Sequence, residues 1–288
     1  DPEILGQSSF YAFRTRYAVM ITASAAGGTH KFQKIVKFRN LEQLGKLVSP
    51  HSYRILKKDC LDLPDKVFTK RDIELSEEQQ KAYQEMKANA ITILKDKSMT
   101  AVNVLTQLIR LHQITCGHMK TDAGETVQLK NNRLSELMQI LGETTGKVII
   151  WANYIHDILS IKNAVEEEFG LNSCCTYYGG TKTEDRQTCI NNFQDENNPV
   201  RFFIGNTQTG GYGITLTEAS TVIYYSNNYD LEKRIQSEDR AHRIGQKNKV
   251  LYIDLVAKGT VDEKIIQSLR NKVNIAKQIS GEDLVNWI

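Results

Sequence analysis

Long apolar runs are missing from this 288-residue sequence, because none reaches the roughly 18 residues that a membrane-spanning helix requires. A secretory signal is missing as well, and the chain opens on Asp1-Pro2-Glu3 rather than on an initiator methionine. We therefore expect an intracellular protein without a membrane partner, present here as a fragment of something longer.

Cysteine is scarce: the chain has five, an odd number, and no two of them form a C-x-x-C pair. This usage favours reduced thiols in an intracellular compartment over a disulfide framework. His112, Cys116 and His118 lie close together in the sequence without a fourth ligand, whereas a structural zinc site takes four. We therefore predict no metal site formed by the chain itself.

An excess of charge is also missing, since 37 basic and 34 acidic residues leave a formal net charge of +3. A charge this small neither demands nor excludes a nucleic-acid partner, so any phosphate-binding surface must be a local patch. What the sequence does contain is 40% apolar residues, which is enough for a substantial buried core.

The first 130 residues show patterns typical of loops and helices. A capping box formed by Ser76 and Gln79 predicts the start of a helix over residues 77–95. Apolar residues at helical spacing predict a second helix over 100–116. The polar residues at 117–130 predict an exposed hairpin or loop.

From residue 131 onward, short apolar runs alternate with helical patterns. The predicted strands are Lys147–Ala152, Ser173–Tyr177, Val200–Gly205, Thr221–Tyr225 and Val250–Val256. The predicted helices lie near residues 154–169, 183–193, 231–243 and 261–279. This alternation, with strands that are apolar almost throughout, predicts an α/β fold with a doubly wound parallel sheet covered on both faces.

The most informative stretch is QSEDRAHRIGQ at residues 236–246. On a helix, Gln236, Arg240 and Arg243 fall at positions i, i+4 and i+7, which puts one amide and two guanidinium groups on one face. Gly245 suits the left-handed residue that follows a helix end. Two guanidinium groups on one face suit a phosphate, although the spacing alone favours the alternative, a surface helix paired with neighbouring acids.

This stretch closely resembles motif VI of the Swi/Snf-type translocating ATPases of helicase superfamily 2. Its I-G-Q ending resembles the translocase branch, since strand-separating RNA helicases tend to read H-R-I-G-R-x-G-R. Three other stretches resemble family motifs in the right order. They are VIIWANY at 148–154 (motif IV), YGGT at 178–181 (the G-x-[ST] segment) and NTQTGGYGITL at 206–216 (motif V).

The resemblance covers nearly the whole chain and is strongest over residues 147–270. LPDK at 63–66, with SYRILKKD before it, looks like the joint between two lobes. GTVDEKI at 259–265 looks like the start of the family's closing helix, where we expect Thr260 as the cap and the acids as ordinary first-turn residues. In the YGGT segment, Thr181 and Glu184 could form a second capping box.

The resemblance implies a RecA-like C-terminal lobe over residues 131–288. It implies that residues 71–130 form a helical brace, and that residues 1–70 hold the remnant of an N-terminal lobe and the joint between lobes. We divide the chain at those boundaries.

The resemblance also implies roles for individual residues. Arg240 and Arg243, with Gln236, would form the catalytic set, the arginines acting as fingers on ATP. Gly211 and Gly213 would lie close to ATP. The implied nucleic-acid-binding residues are Asn153, Gly180, Thr181, Thr207, Thr209 and Gly210. The implied partners are DNA, expected to be double-stranded and held by its phosphate backbone, and the N-terminal lobe of the same protein.

Two positions depart from the family pattern. Many members carry a basic residue where Gln208 stands and asparagine where Thr215 stands, which puts a charged side-chain contact from this loop to phosphate in doubt. Together with the lack of insertions in the lobe, these variants favour the bacterial or phage branch.

A complete motor also needs G-x-x-x-x-G-K-[ST] and a D-E-x-H strand end, and the sequence has neither. GETTGK at 142–147 is one residue short and precedes a strand, whereas a phosphate-binding loop follows a strand and opens a helix. We therefore expect the cofactors, ATP and Mg²⁺, to be held mainly by the absent N-terminal lobe.

Two alternatives stay open. One is a non-catalytic nucleic-acid- or protein-binding module with a decayed motor, which predicts disrupted motif VI arginines, although Arg240 and Arg243 are intact. The other is a strand-separating helicase, against which the ending of motif VI argues without deciding whether strands part.

Overall fold

The computed structural model describes residues 2–24, 31–53, 60–95, 101–121, 124–210 and 213–280. Most of the SYRILKKD segment and Gly211 therefore lie outside the described residues. Within the described ranges, no helix has both the length and the apolar character that a membrane crossing would require.

The chain begins with a small unit of helices and one hairpin. Its elements are α1 (Pro2–Leu5), α2 (Phe10–Tyr17), β1 (Ala18–Ser24), β2 (Lys31–Phe38), α3 (Leu41–Val48) and a 3-10 turn (Ser49–His51). β1 and β2 pair in antiparallel fashion. Helix α2 begins at a side-chain cap, where the Ser9 hydroxyl accepts a hydrogen bond from the Ala12 amide at 3.2 Å.

Two helices, α4 (Glu77–Lys95) and α5 (Ala101–Thr115), lie in the segment predicted to be a brace, and they are called the brace below. The capping box is confirmed, because the Ser76 hydroxyl accepts from the Gln79 amide at 3.2 Å and the Gln79 carboxamide accepts from the Ser76 amide at 3.1 Å. The hairpin is confirmed as well, with strands β4 (His118–Lys120) and β5 (Thr126–Gln128), although His118 is buried rather than exposed.

The main sheet has six parallel strands in the order β3-β10-β9-β6-β8-β7. The strands are β3 (Lys66–Ile73), β6 (Lys147–Trp151), β7 (Cys174–Tyr177), β8 (Phe202–Gly205), β9 (Ala219–Tyr224) and β10 (Val250–Ala257). All five predicted strands are present. The edge strand β3 was not predicted, and it comes from the stretch that precedes residue 131.

Helices cover both faces of this sheet. They are α6 (Asn132–Glu143), α7 (Ile155–Phe169), α8 (Thr183–Gln194), the short α9 (Thr207–Gly210), α10 (Leu231–Ala241) and α11 (Val261–Ser280). One core cluster joins the sheet to α6 and α7, and a second joins it to α8 and α10. Burial on both faces explains why the strands are apolar almost throughout. Helix α6 is the one covering helix of this domain, apart from short α9, that the sequence did not predict.

The brace docks on α11 at one end of the domain. A third apolar cluster includes Tyr83 of α4, Ile114 of α5 and Leu269 of α11. Buried Arg133 donates to the Asp262 carboxylate and, at 3.1 Å each, to the backbone carbonyls of Thr115 and Leu255. The brace, the sheet and α11 therefore share one buried ionic contact.

The closing helix begins as expected. The Thr260 hydroxyl accepts from the Asp262 amide at 3.2 Å, which confirms the cap. Asp262 is more than a first-turn acid, however, because it is buried and paired with Arg133.

One cysteine pair differs from the expectation of reduced thiols. Cys175 of β7 and Cys189 of α8 form a disulfide, with their Cα atoms 5.6 Å apart. Cys60, Cys116 and Cys174 are free. The composition could not predict this pair, because it depends on which helix packs against β7.

Candidate functional site

The carboxyl ends of three adjacent strands carry most of the residues predicted to bind nucleic acid. Strand β8 lies between β6 and β7, and all three run in parallel. Asn153 follows β6, Gly180 and Thr181 follow β7, and Thr207, Thr209 and Gly210 follow β8. Because the three strands are parallel, the fold brings the six residues to one edge of the sheet. In open α/β sheets, ligands bind at this edge.

Asn206 ties two of these loops together. Its side-chain nitrogen donates to the carbonyls of Ala152 at 3.2 Å and Asn153 at 2.8 Å, while its side-chain oxygen accepts from the Gln208 amide at 2.7 Å. The sequence did not single out Asn206 as a site residue, although it opens the motif V stretch. Gln208 itself is exposed, whereas Thr207 is buried.

Thr181 has a different role from the predicted one. Helix α8 begins at Thr183, and its N-cap residue, Lys182, makes no side-chain capping bond. The capping box of Thr181 and Glu184 is therefore wrong. The Thr181 hydroxyl instead accepts from the Tyr178 amide and donates to the Thr176 carbonyl, both at 3.1 Å, because the chain turns sharply there before the helix starts.

Arg186 of α8 supplies a cation beside this turn. Its guanidinium group donates to the carbonyls of Thr181 at 3.1 Å and Tyr178 at 3.3 Å. The sequence did not single it out, because nothing in its spacing marks a helix residue that folds back on the preceding turn.

Gly210 is required by packing. A Cβ atom at this position would lie 2.7 Å from the Trp151 ring, which is completely buried in the sheet. Gly213 has a φ of +72°, a conformation that other residues rarely adopt. The fold itself therefore requires glycine at these two positions, independently of any contact with a ligand.

The same stretch reaches the predicted catalytic residues. Because β8 and β9 are parallel, residues 206–210 lie at the carboxyl edge of the sheet, and residues 213–217 precede β9 on the side of its amino edge. At the far end, Arg240 donates from Nη1 to the Ile214 carbonyl at 3.1 Å, and Arg243 donates from Nη1 to the Thr215 hydroxyl at 3.3 Å. One connection thus contacts both candidate regions.

The predicted helix face is wrong in one respect. Helix α10 ends at Ala241 with His242 as its C-cap, so Arg243 lies beyond the helix and not at position i+7 of it. Gly245 has the expected positive φ of +102°, but in the turn after the helix end rather than at it. The two arginines still converge, because the bend after Ala241 returns the chain toward Thr215.

Arg240 and Arg243 form a pair of cations. Neither makes an ion pair with a carboxylate among the described residues. Partial burial lowers the pKa of Arg240, and the nearby charge of Arg243 lowers it further. A phosphate group would relieve this repulsion, so the residues present fit the γ-phosphate of a nucleotide.

Gln236 lies one turn before Arg240. Its side-chain nitrogen donates to Glu232 at 2.9 Å, and its buried side-chain oxygen has no hydrogen-bond partner among the described residues. The Gln236 backbone carbonyl accepts from Nε of Arg240 at 2.9 Å, which fixes that side chain along the helix.

The joint segment holds this helix in place. Lys66 contacts Glu238 at 3.1 Å and Asp239 at 3.5 Å, and the His242 ring contacts the Pro64 carbonyl at 2.7 Å. The acids that the sequence left without a role therefore position α10 against β3.

The histidines considered for a metal site have different neighbours. His112 contacts the Tyr154 hydroxyl at 2.9 Å, and Cys116 is buried, which raises the pKa of its thiol. His118 instead lies beside His156 and Asp157.

Comparisons with known proteins agree with this fold. Residues 129–245 match the family described as "Helicase conserved C-terminal domain". The chain is 29% identical to the CHD3-type chromatin-remodeling factor CHR7 of Arabidopsis thaliana, with 91% of the chain and 23% of that protein covered. It is 31% identical to the putative ATP-dependent helicase/translocase YwqA of Bacillus subtilis, with 87% of the chain and 28% of that protein covered.

Solved structures show the same fold. The Sulfolobus solfataricus SWI2/SNF2 ATPase core in complex with dsDNA matches with a TM-score of 0.60 and 27% identity, over 98% of this chain and 58% of that one. The C-terminal part of the Fun30 ATPase domain matches with a TM-score of 0.60 at 20% identity, over 76% of this chain and 97% of that one. This chain spans about a quarter of the length of the two curated relatives.

Proposed function

This chain belongs to the Swi2/Snf2-type proteins of helicase superfamily 2 as a C-terminal RecA-like lobe, and on that premise we propose that it is one half of an ATP-driven DNA translocase. The other half is an N-terminal lobe outside these residues, which holds most of the ATP and its Mg²⁺. The support for that division is the lack of a phosphate-binding loop in the sequence.

The observation that carries the proposal is the pair formed by Arg240 and Arg243. Both guanidinium groups are anchored to residues 214 and 215, and among the described residues no carboxylate lies within ion-pair distance of either. ATP supplies the phosphoryl group whose transfer releases energy. Arg240 and Arg243 stabilise the negative charge that develops on that group, an effect on the order of 10³–10⁵ in rate.

The carboxyl edge of β6, β8 and β7 holds one DNA strand by its phosphates. Backbone amides and neutral side chains near Asn153, Thr181 and Thr209 make the contacts, and Arg186 adds positive charge nearby. Because Gln208 is exposed and neutral, this edge depends on fewer cations than the family pattern implies. Contacts of this kind position the strand and carry little sequence information.

The stretch 206–217 couples the two regions. It follows the DNA-binding edge at Asn206 and contacts the arginines at Ile214 and Thr215. When the two lobes close on ATP, this stretch transmits the displacement to the DNA-binding edge. Repeated closing and opening then moves the protein along the duplex. The chain alone has no appreciable ATPase activity, because the other half of the site is missing from it.

We propose that the protein acts inside cells and belongs to the bacterial or phage branch. Relatives of known name include both a Bacillus subtilis protein and Arabidopsis chromatin-remodelling factors. The relatives alone therefore do not decide between the branches. The proposal of a bacterial or phage branch is supported by the residues Gln208 and Thr215, which differ from the family pattern.

The decisive experiment measures DNA-stimulated ATP hydrolysis by the full-length protein. Arg243→Ala is expected to lower turnover by 10³- to 10⁵-fold while leaving the thermal unfolding midpoint unchanged. Arg71→Ala is the matched control, because Arg71 is exposed on β3 and pairs only loosely with Glu136 and Glu143, at 3.9 and 3.6 Å.

Two outcomes would contradict the proposal. Equal turnover in the wild type and Arg243→Ala would remove the arginine from the catalytic set. A wild-type protein that binds DNA and hydrolyses no ATP would instead favour a binding module with a decayed motor.

A further inference from the structure

Three side chains outside the candidate motor site converge at the junction of the brace and the sheet domain. His118 begins strand β4, and His156 and Asp157 lie in the first turn of α7. Nδ1 of His118 lies 3.0 Å from the Asp157 carboxylate, and Nδ1 of His156 lies 4.0 Å from the same oxygen. The ligand atoms of all three residues lie within 4.8 Å of one another.

The polar atoms of this cluster are buried without hydrogen bonds. Nδ1 of His118, Nδ1 of His156 and Oδ2 of Asp157 all lack a hydrogen-bond partner among the described residues. His118 and Asp157 are each only 2% exposed. The 3.0 Å approach of His118 to Asp157 lacks hydrogen-bond geometry, so an ordinary ion pair does not satisfy these atoms. Buried polar atoms are rarely left unpaired, and three in one place call for a missing partner.

A cation is the partner that fits. Both imidazole rings present a nitrogen to the same carboxylate, and their centroids are 4.5 Å apart. Imidazole nitrogens and carboxylate oxygens are groups that bind divalent transition-metal ions.

We propose that His118, His156 and Asp157 bind one divalent transition-metal ion, with Zn²⁺ as the best match to the ligand set. Two imidazole nitrogens and one carboxylate oxygen are ligands that zinc takes at about 2.0–2.2 Å, which sets ligand atoms roughly 3.4 Å apart in a tetrahedron. The observed 3.0 and 4.0 Å separations need only small side-chain movements to reach this value. His156 is about one-third exposed and gives the ion its path from solvent.

The ion would join two parts of the chain. It ties the β4–β5 hairpin, which follows the brace helices, to the start of α7, which directly follows Asn153 and Tyr154. The Tyr154 ring packs edge-on against His118 with centroids 5.2 Å apart and shields the site. Metal binding thus stiffens the carboxyl edge of β6, next to the residues assigned to DNA, although the site itself does not depend on that assignment.

The test is metal binding by the metal-free full-length protein. We expect one equivalent of Zn²⁺ by calorimetry, one equivalent of Co²⁺ with the visible absorption of a tetrahedral complex, and a rise in the thermal unfolding midpoint when Zn²⁺ is added. His156→Ala should raise the Kd for Zn²⁺ at least about 100-fold, since it removes a direct ligand and even outer-shell changes cost about 10- to 100-fold.

A control variant and the choice of ligand keep the test decisive. His51→Ala removes an exposed histidine outside the cluster and should leave the Kd unchanged. His156 is the ligand to replace because it is the least buried of the three, so its variant is expected to fold. Absence of stoichiometric binding in the wild type, or equal binding in wild type and His156→Ala, would overturn the proposal and leave a buried His118–Asp157 pair only.

Discussion

The two ends of helix α10 carry the same residue type in opposite settings. At the amino end, Arg234 is buried and satisfied: it donates to Glu238 at 2.9 Å, to Asn227 at 2.7 Å and to both carboxylate oxygens of Asp254. At the carboxyl end, Arg240 and Arg243 donate hydrogen bonds to two backbone carbonyls and one hydroxyl group, and among the described residues neither forms an ion pair with a carboxylate. The first arginine is used by the fold, whereas the other two keep donors for a ligand.

This difference shows why residue type and spacing alone could not identify the functional arginines. An arginine whose donors already meet carboxylates contributes to stability and has nothing left for a phosphate. The carboxylates near the carboxyl end are taken by Lys66 and Arg234 instead. Among the described residues, the arginine at the amino end of α10 is therefore paired with carboxylates, whereas the two arginines at its carboxyl end are not.

The largest effect expected within this comparison concerns the buried end. Arg234→Ala should lower the free energy of unfolding by about 3–5 kcal/mol, because Asp254 and Glu238 would be left buried without their partner. Arg240→Ala should lower it by about 1 kcal/mol or less, while turnover in the full-length protein falls. Urea denaturation followed by tryptophan fluorescence measures the free energy of unfolding of both variants. Equal losses of this free energy would contradict the distinction between the two ends of α10.

A smaller effect is expected at the middle of the helix. Lys66→Met should lower the free energy of unfolding by about 1–3 kcal/mol, since nearly buried Glu238 loses one charged partner. Lys249→Met is the control: its partner Asp65 is exposed and 3.7 Å away, and such surface pairs contribute about 0–1 kcal/mol. If both variants lose the same amount, the joint segment does not hold α10.

The smallest effect is expected at Thr215. Thr215→Val removes the acceptor for Arg243 and should lower ATP turnover by about 2- to 10-fold, the equivalent of one hydrogen bond. Stability should change by no more than about 0.5 kcal/mol. Thr215→Asn keeps an acceptor and should retain turnover, and a loss as large as that of Arg243→Ala would mean that Thr215 has a role of its own.

Much of the fold could be predicted from local patterns. The strand cores, most covering helices and the Ser76–Gln79 cap are present where the sequence indicates them. These features depend on hydrophobic period and on side chains that bond to their own helix. The edge strand β3 was missed because a half-exposed strand has a weak apolar pattern. Helix α6 was missed although Asn131 caps it and its apolar residues recur at helical spacing.

The candidate site divides in the same way. The sequence alone predicted the stretches that resemble motifs V and VI and the arginines suited to phosphate, since those features are written in consecutive residues. Only the tertiary structure decided that Arg243 reaches its place around a bend after Ala241, that Arg234 is neutralised by Asp254, and that His118 meets His156 and Asp157. Contacts between residues 20 to 40 positions apart depend on how helices dock on the sheet, which no local period encodes.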